Sequence, residues 1–444
     1  MSENKSSETR RDFLKQAGLM AATGVLAGTA VPKVHAAENN TIRIALIGCG
    51  GRGRGAVVDA IQTSGPTRVV ALADAFDEKA KSIGDFMQSQ FPGKIDLGDR
   101  MFGGLDSYKK AMDCLNPGDF VILAAPPAFR WLHFEYAVEK GLHVFAEKAL
   151  AVDAPSCRKM LEINKKALEK KLKVGVGLNN RHYPKTGDAV ARIQDGAIGD
   201  IISCWVYRLQ PEYANVPTPG KTEFQHQLLN FNGFTWVSGS YMVDWMIHNL
   251  DICCWARKDS WPVSVQGQGG RQVRRFNDQM YDHCAYEYRF ADGVKMMTQL
   301  RQIPNTWRSF RAVIQGTKGS AVLGEGVREP LFYKGFKQVK DEIVWKSEMP
   351  SGSSYQIEHD GLFDAIRNDK PWNEVERGVQ ATMVAIMGRM AVDSGREVEA
   401  KDAWNSQYDL CPGIENWTLD SAAPIRANAD GSYNLATPGV TKEY

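Results

Sequence analysis

Short apolar runs alternate with amphipathic segments over the first half of the chain. Five runs are apolar on both faces, as strands are in a sheet that helices cover on both sides. They are IRIALIG (42–48), RVVALAD (68–74), DFVILAA (119–125), HVFAEK (143–148) and KVGVGL (173–178). The segments between them have helical spacing, for example RWLHFEYAVEKG (130–141). This alternation predicts a doubly wound α/β domain with a parallel sheet over residues 41–178.

The pattern changes after Arg181. Longer, partly alternating runs follow, such as DIISCWVYRL (200–209), and Asp292-Gly293 is typical of a hairpin turn. We therefore predict a second α/β domain over residues 179–405 with a mostly antiparallel open sheet, whose C-terminal helices can pack back on the first domain. Residues 406–444, rich in Pro, Asn and Ser, predict an irregular tail that wraps the body or a neighbouring subunit.

The first 36 residues have the order of an export signal. Arg10 and Arg11 lie in T-R-R-x-F-L-K, an apolar stretch runs from Ala17 to Val31, and small residues suited to cleavage end at Ala36. The paired arginines indicate the twin-arginine pathway, which carries folded proteins. The apolar part is too short and too weakly apolar for a spanning helix. We expect a periplasmic or otherwise exported protein, with the twin-arginine export machinery as a partner and no stable membrane insertion.

Composition narrows the class of protein further. A chain of 444 residues with 43% hydrophobic and 24% charged content is large enough for two globular domains. A net charge of +2 gives no overall field that would attract nucleic acid, so no nucleic-acid partner is expected. The eight cysteines include no C-x-x-C pair, and this usage suits folding in a reducing compartment.

The hexapeptide GCGGRG (48–53) follows the first predicted strand and opens the first predicted helix. Its glycines allow a tight turn, a close approach of backbone to a pyrophosphate, and close packing of helix on strand. Asp74 ends the second predicted strand, where a carboxylate accepts hydrogen bonds from ribose hydroxyls and repels a 2′-phosphate. This context predicts a Rossmann dinucleotide-binding domain that prefers NAD to NADP, a preference that Arg52 and Arg54 weaken. The residues predicted to bind the cofactor here are Gly48, Gly50, Gly51, Arg52, Gly53 and Asp74.

Further cofactor residues are predicted at the carboxyl edge of the sheet, where doubly wound folds bind ligands. Glu147 and Lys148 end the fourth quoted run, and Pro126 and His133 follow the third. Pro126 is expected to shape its loop against the cofactor, and His133 to assist binding. A position on a helix surface is the alternative for His133.

A catalytic group is predicted from two separate segments. GSYMVDWMIHNLD (239–251) has helical spacing, which puts Asp244 and His248 on one face. Removing a hydride from a carbinol carbon requires a base for the hydroxyl proton and a donor that holds the oxygen. We predict that Lys148 holds the oxygen and assists proton transfer, that His248 is the base, and that Asp244 orients or balances the group.

Metal ligation by Asp244, His248 and His182 is an alternative, but the sequence lacks a tight ligand cluster and no metal is predicted. For substrate, aromatic residues are concentrated between Trp205 and Trp245, and aromatic faces stack on the C–H faces of sugars. The residues predicted to bind substrate are Arg181, His182, Trp236 and Tyr241. As a group these residues favour a carbohydrate or glycoside over a small acid.

The order of the glycine loop, AEKALAVDA (146–154) and D-x-x-x-H (244–248) resembles the Gfo/Idh/MocA family of nicotinamide-dependent sugar and polyol oxidoreductases. Two further segments, 179–201 and 359–396, resemble the family as well. The resemblance implies that the lysine of E-K-P and the aspartate and histidine of D-x-x-x-H form the catalytic group, here Lys148, Asp244 and His248. One departure is Ala149, which stands where the family has proline.

Export of such a protein has a consequence for the cofactor. No pool of free NAD exists outside the cytoplasm, so we expect a tightly bound cofactor. The leading hypothesis is an exported NAD(P)-dependent oxidoreductase acting on a sugar, polyol or glycoside. One alternative is a redox-neutral glycosidase or lyase that oxidises a ring carbon transiently, and another is a non-catalytic carbohydrate-binding protein. A homo-oligomer is expected because a broad open sheet often packs against a copy of itself.

Overall fold

The computed structural model describes residues 40–444. The N-terminal part of these residues forms a six-stranded parallel sheet. Its strands are β1 (Ile42–Ile47), β2 (Thr67–Asp74), β3 (Met101–Gly103), β4 (Phe120–Leu123), β5 (His143–Ala146) and β6 (Val174–Val176). Their order is β3-β2-β1-β4-β5-β6, and all neighbours pair in parallel. The five predicted strands are confirmed. β3 was missed because three residues are too short for a periodic signal.

Five helices follow the strands of this sheet in turn. They are α1 (Gly51–Gln62), α2 (Asp77–Gln90), α3 (Ser107–Met112), α4 (Arg130–Glu139) and α5 (Ala154–Glu169). Alternate residues of β1 enter two different cores: Ile44 and Leu46 pack in one, and Ala45 and Ile47 in the other. Burial of both faces is the reason that β1 is apolar at nearly every position.

A nine-stranded sheet follows, and it is mostly antiparallel. Its strands are β7 (Ile201–Gln210), β8 (Ser264–Gly270), β9 (His283–Arg289), β10 (Lys295–Gln302), β11 (Ser309–Gly316), β12 (Gly319–Leu323), β13 (Leu331–Tyr333), β14 (Ile343–Lys346) and β15 (Val398–Glu399). The order is β14-β13-β12-β11-β7-β10-β9-β8-β15, and only β7 and β10 pair in parallel. The predicted hairpin turn between β9 and β10 is present, with Gly293 at φ +85°. The predicted α/β fold with a parallel and a mostly antiparallel sheet is confirmed.

Eight further helices of residues 40–444 pack around the two sheets. They are α6 (Pro184–Gln194), α7 (Glu223–Leu229), α8 (Thr235–Ser238), α9 (Tyr241–Asp244), α10 (Ile247–Ala256), α11 (Ser354–Arg367), α12 (Val375–Ser394) and α13 (Ala400–Asn405). The predicted single helix over 239–251 is wrong, because α9 ends at Asp244 and α10 begins at Ile247. Helix α12 is buried almost throughout, since it contacts α5 on one side and β8 on another, and α11 packs on α1.

The C-terminal segment 406–444 contains one short 3₁₀ turn, Ile414–Asn416, and is otherwise irregular. It packs on the body through buried polar contacts. The Arg389 guanidinium, fully buried on α12, donates to Glu443 Oε2 at 2.6 Å, and the Tyr281 hydroxyl donates to the Ala436 carbonyl at 2.7 Å. Residues 40–444 group as one compact unit, and the division into domains at 178 and 405 stays a prediction.

The sequence predicted a signal peptide, free cysteines and no membrane-spanning helix. The predicted signal peptide 1–36, with Arg10 and Arg11, lies outside the described residues. All eight cysteines are free thiols, and seven of them are buried. Of the helices in residues 40–444, none has the length and apolar character needed to cross a bilayer.

Candidate active site

A cavity opens at the carboxyl edge of the parallel sheet, where the strand order reverses between β1 and β4. Such switch points are the ligand crevices of doubly wound sheets. All ten residues predicted to bind the cofactor line it: Gly48, Gly50, Gly51, Arg52, Gly53, Asp74, Pro126, His133, Glu147 and Lys148. Asp244, from α9, lines it as well. The cavity therefore joins the glycine loop to part of the predicted catalytic group.

The glycine loop has the shape of a phosphate cradle. Gly48 has φ +98°, and a Cβ there would lie 2.4 Å from the Ala125 nitrogen. A Cβ on Gly53 would lie 1.9 Å from the Gly48 carbonyl oxygen, whereas a Cβ on Gly50 or Gly51 would meet nothing within 4 Å. The loop is thus tight against the sheet and open toward the cavity. Because α1 begins at Gly51 without a side-chain cap, its first amides are available to an anion.

Asp74 connects the second strand to this loop. Its Oδ2 accepts a hydrogen bond from the Cys49 amide at 2.7 Å, and its Oδ1 accepts one from the Phe76 amide at 3.0 Å. Burial raises the pKa of Asp74, while these amides and Lys79 oppose the rise. Each carboxylate oxygen has a second lone pair, so Asp74 can hold the loop and still accept a ribose hydroxyl.

The two arginines of the loop are both engaged by the protein. Arg52 Nε lies 2.8 Å from Glu147 Oε1, and its Nη2 donates to Asp59 at 3.2 Å. The Arg54 guanidinium lies 3.6 Å from the centre of the Phe86 ring. Neither guanidinium is therefore free to receive an additional phosphate without giving up these contacts.

Lys148 and Asp244 form an ion pair inside the cavity. Lys148 Nζ donates to Asp244 Oδ1 at 2.9 Å and to the Asp244 backbone oxygen at 2.6 Å. The two side chains keep 16% and 11% of their surface exposed, so a small molecule in the cavity can reach them. The sheet edge and α9, about a hundred residues apart in sequence, thus supply one cation and one carboxylate to the same point.

His248 stands close to this pair but does not line the cavity. Burial lowers the pKa of His248 to about 4; the nearby Lys148 and Arg208 charges lower it too, and Glu325 and Asp244 oppose the shift. The imidazole is therefore neutral at physiological pH. Its Nδ1 has no hydrogen-bond partner among residues 40–444. A neutral, unpartnered imidazole nitrogen can accept a proton, as the predicted role requires.

Glu325 is a site residue that sequence reasoning missed. Burial would raise the pKa of Glu325, but the interaction with His248 and hydrogen bonds from Asn180 and Tyr355 outweigh burial and lower it. The Asn249 side chain, next to His248, accepts from the Glu325 amide at 2.9 Å. Glu325 is thus an anion that faces the predicted base. It follows a strand in AVLGEG, and nothing in that stretch signals its position.

Arg130 and Arg208 were missed too. Arg130 is fully buried, lines the cavity and lies near Glu147 and Asp244, whose charges oppose the fall that burial causes in its pKa. Its place after β4, at the same edge as Pro126, was a signal available in the sequence. Burial lowers the pKa of Arg208 to about 10, and its guanidinium lies 3.6 Å from the centre of the Phe310 ring.

The four residues predicted to bind substrate do not line the cavity that contains Lys148. Arg181 forms a two-pronged pair with Asp251, at 2.8 Å for both bonds, so its guanidinium is occupied. Trp236 is fully buried and donates to Gln227 at 2.7 Å, and Tyr241 is buried with its hydroxyl bonded to a backbone oxygen. These aromatics serve the core, because large apolar rings are more stable there. His182 lines a second pocket together with Trp372, Glu374 and Arg377. Of the aromatics between Trp205 and Trp245, Phe231 lines the cavity.

His133 gives a pH-dependent stability that can be tested without a substrate. The His133 ring is buried, and its centroid lies 4.4 Å from that of the Tyr108 ring. Burial and the nearby Arg130 charge lower the pKa of His133 to about 3. A histidine that is neutral when folded but titrates near 6.5 when unfolded stabilises the fold above pH 6.5, and this stability is lost as pH falls toward 3. We expect wild type to lose more stability than His133→Phe between pH 7 and 5, by on the order of 2 kcal/mol.

Urea unfolding at both pH values measures this difference. The control is His283→Asn, since His283 is half-exposed beside Asp282. An identical loss in wild type and His133→Phe would show that His133 titrates normally in the folded protein.

Comparisons with known proteins agree with this fold. Residues 187–322 match the family model of the GFO/IDH/MocA C-terminal domain. Inositol 2-dehydrogenase of Burkholderia lata is 22% identical over 328 residues, which cover 74% of this chain and 86% of that protein. Among solved structures, an aldose–aldose oxidoreductase from Caulobacter crescentus, complexed with glycerol, superposes with a TM-score of 0.61 at 17% identity, covering 81% of this chain and 99% of that one.

A levoglucosan dehydrogenase in complex with NADH and levoglucosan superposes with a TM-score of 0.62 at 17% identity, again over 81% of this chain and 99% of that one. The described chain therefore has the fold of these dehydrogenases, and its residues 187–322 match the Gfo/Idh/MocA C-terminal domain.

Proposed function

We propose that this chain is a Gfo/Idh/MocA family oxidoreductase that transfers a hydride between a CH–OH group of a sugar, polyol or glycoside and a tightly bound nicotinamide cofactor. The observation that carries the proposal is that the Lys148–Asp244 pair lines the same cavity as the glycine loop, with Nζ 2.9 Å from Oδ1. The relatives named above support it, because they are dehydrogenases or oxidoreductases of inositol, aldoses and levoglucosan.

The glycine loop, the start of α1 and Asp74 would hold the cofactor, which when bound supplies the hydride acceptor. Lys148 Nζ has three protons; two are used on Asp244, and the third is free to donate to the substrate oxygen. That bond strengthens as charge develops on the oxygen. Asp244 keeps the ammonium in place, and the neutral imidazole of His248, close to this pair, would accept the hydroxyl proton. Glu325 would stabilise the imidazolium that results.

We propose NAD rather than NADP as the cofactor. The support is the Asp74 carboxylate at the cavity wall together with the engagement of Arg52 and Arg54 by other groups. Lys79, which also lines the cavity, is the cation that a 2′-phosphate would use. Asp74→Asn removes the charge but keeps an acceptor. We expect it to lower the ratio of NAD to NADP affinity by about tenfold, because a charge-assisted hydrogen bond and a repulsion are both lost.

The measurement for Asp74→Asn is titration of apo protein with each nucleotide, followed by fluorescence. Asp119→Asn is the control, since Asp119 is also buried and also accepts from two backbone amides, those of Arg43 and Asn116, but does not line the cavity. An unchanged NAD-to-NADP ratio in Asp74→Asn would remove the basis for the NAD assignment.

Export by the twin-arginine pathway and a tightly bound cofactor remain part of the proposal. They rest on the T-R-R-x-F-L-K pattern in the sequence and on thiols that are unpaired and mostly buried, as suits a protein folded before export. An enzyme so placed must return its cofactor to the starting state in each cycle. Pairing the oxidation of one sugar with the reduction of another, or reversible oxidation within one glycoside, would do so.

The test of the proposed function uses the purified mature protein. Denaturing it should release about one nicotinamide nucleotide per chain, detected by mass spectrometry. Adding members of a sugar, polyol and glycoside panel should then change the nicotinamide absorbance of the native protein. Product analysis decides between an oxidised sugar and a cleaved glycoside, the latter supporting the redox-neutral alternative. Sugar binding with no bound nucleotide and no turnover would leave a non-catalytic carbohydrate-binding protein.

A further inference from the structure

Three potential metal ligands meet in a place that the proposed reaction does not use. His182 ends the 3₁₀ turn Asn179–His182 after β6, Glu358 lies on α11, and Glu374 immediately precedes α12. His182 Nε2 lies 3.0 Å from Glu374 Oε1 and 3.9 Å from Glu358 Oε1. One ligand atom from each residue lies within 4.8 Å of the other two. An imidazole nitrogen and two carboxylate oxygens thus converge from three separate elements.

Glu358 supplies a second, independent observation. Its side chain is fully buried, and neither carboxylate oxygen has a hydrogen-bond partner in the described part of the chain. A buried carboxyl group without partners is costly, so natural proteins satisfy it with a proton donor or a cation. The Glu358 carboxylate lies beside the His182 imidazole and the Glu374 carboxylate. This arrangement favours a cation.

We propose that His182, Glu358 and Glu374 bind one divalent first-row transition metal ion, of which Zn²⁺ is the best match. Zn²⁺ binds imidazole nitrogen and carboxylate oxygen, and sites with three protein ligands take a water as the fourth ligand. Ligands at about 2.1 Å around a tetrahedral ion lie about 3.4 Å apart, and the observed 3.0 and 3.9 Å separations bracket that value. Small side-chain shifts complete the geometry.

The surroundings of the three ligands suit this role. The Trp372 ring stacks on His182 with centroids 5.5 Å apart, which fixes the imidazole plane. Glu374 Oε2 accepts from the Val176 amide at 2.8 Å, and Oε1 accepts from Arg377. Each of these oxygens keeps a further lone pair for an ion. The Arg377 charge balances one of the two carboxylates.

A surface pocket gives access to the site. It is lined by His182 and Glu374 together with Trp372 and Arg377, and it shares no lining residue with the cofactor cavity. The pocket provides an entry path and room for a water ligand. Bound there, the ion would tie the turn after β6 to α11 and α12. The ion would lie outside the cavity that contains Lys148, so its binding does not depend on the proposed hydride transfer.

Calorimetric titration of the untagged, chelator-treated mature protein with Zn²⁺ tests the proposal. We expect one ion per chain, and a loss of affinity of about 100-fold or more in His182→Asn and in Glu358→Gln, since each variant removes one of three ligands. Glu358→Gln is nearly isosteric with the protonated side chain, so it should fold. His283→Asn is the matched control, because it removes a histidine that pairs with one carboxylate only.

Thermal unfolding gives a second readout. Zn²⁺ at a hundredfold excess over its dissociation constant should raise the melting temperature of wild type and of His283→Asn by about 3 °C, and that of the two ligand variants by about 0.5 °C or less. No stoichiometric binding to wild type, or equal binding by His182→Asn and Glu358→Gln, overturns the proposal. Cofactor binding, measured on the same variants by fluorescence, should be unchanged, so failure here is distinct from failure of the proposed function.

Discussion

Replacing Lys148 by methionine is expected to lower kcat/KM for the sugar substrate by about 10³-fold while NAD affinity changes little. Methionine keeps the length of the side chain but has no proton for the substrate oxygen. It also leaves Asp244 without the partner now 2.9 Å away. The effect should therefore fall on kcat, because the lost hydrogen bond is strongest when the oxygen carries charge. Steady-state kinetics and nucleotide titration together measure both quantities.

Lys185→Met is the matched control for this experiment. Lys185 on α6 is also mostly buried and also pairs with a carboxylate, Glu329 at 2.7 Å, but it lies outside the cavity. It should keep nearly full kcat/KM. If Lys148→Met loses less than about tenfold, the hydroxyl proton and oxygen are handled by other groups, and the catalytic role assigned to Lys148 is wrong.

Gly53→Ala is expected to destabilise the protein by about 3 kcal/mol or more, whereas Gly50→Ala should leave stability nearly unchanged and weaken NAD binding by about tenfold or more. The added Cβ on Gly53 would lie 1.9 Å from the backbone oxygen of Gly48, and neither atom can move without shifting α1 from β1. At Gly50 the same methyl group meets no protein atom within 4 Å. It occupies space that a pyrophosphate would need.

Urea unfolding of both glycine variants and of wild type, in the absence of cofactor, measures the stabilities, and fluorescence titration of the folded variants measures NAD affinity. Gly93→Ala is a control, because a Cβ there also meets nothing within 4 Å and Gly93 does not line the cavity. Equal NAD affinity in Gly50→Ala and wild type would contradict a phosphate site at this loop.

The sequence alone determined five of the six strands of the parallel sheet and the glycine loop that follows the first strand. Strands buried on both faces are apolar at nearly every position, and glycines at a tight turn are required by backbone geometry, so both leave a local signal. The placement of Lys148 followed from the same logic, because the last residues of a parallel strand reach the edge where ligands bind. The ten residues predicted to bind the cofactor all line the one cavity for this reason.

The tertiary structure decided what surrounds that loop. Helical spacing predicted Asp244 and His248 on one helix, yet the helix is interrupted between α9 and α10. Packing against the rest of the protein therefore sets where each side chain lies. Trp236 and Tyr241 are residue types that also occur in sugar-binding sites, but here both are buried in the core. An aromatic ring is apolar in a core and in a binding site alike. Composition and spacing do not separate these two outcomes.

Long-range contacts explain the remaining differences. Glu325 interacts electrostatically with His248, and carboxylate oxygens of Glu374 and Glu358 lie 3.0 and 3.9 Å from His182 Nε2. These partners are separated by roughly 80 to 190 residues in sequence, and no periodicity encodes such contacts. What a titratable side chain does depends on its burial and on the charges that face it, and both are properties of the folded chain. The sequence therefore determined the backbone of the proposed dinucleotide site, and the fold determined which side chains surround it.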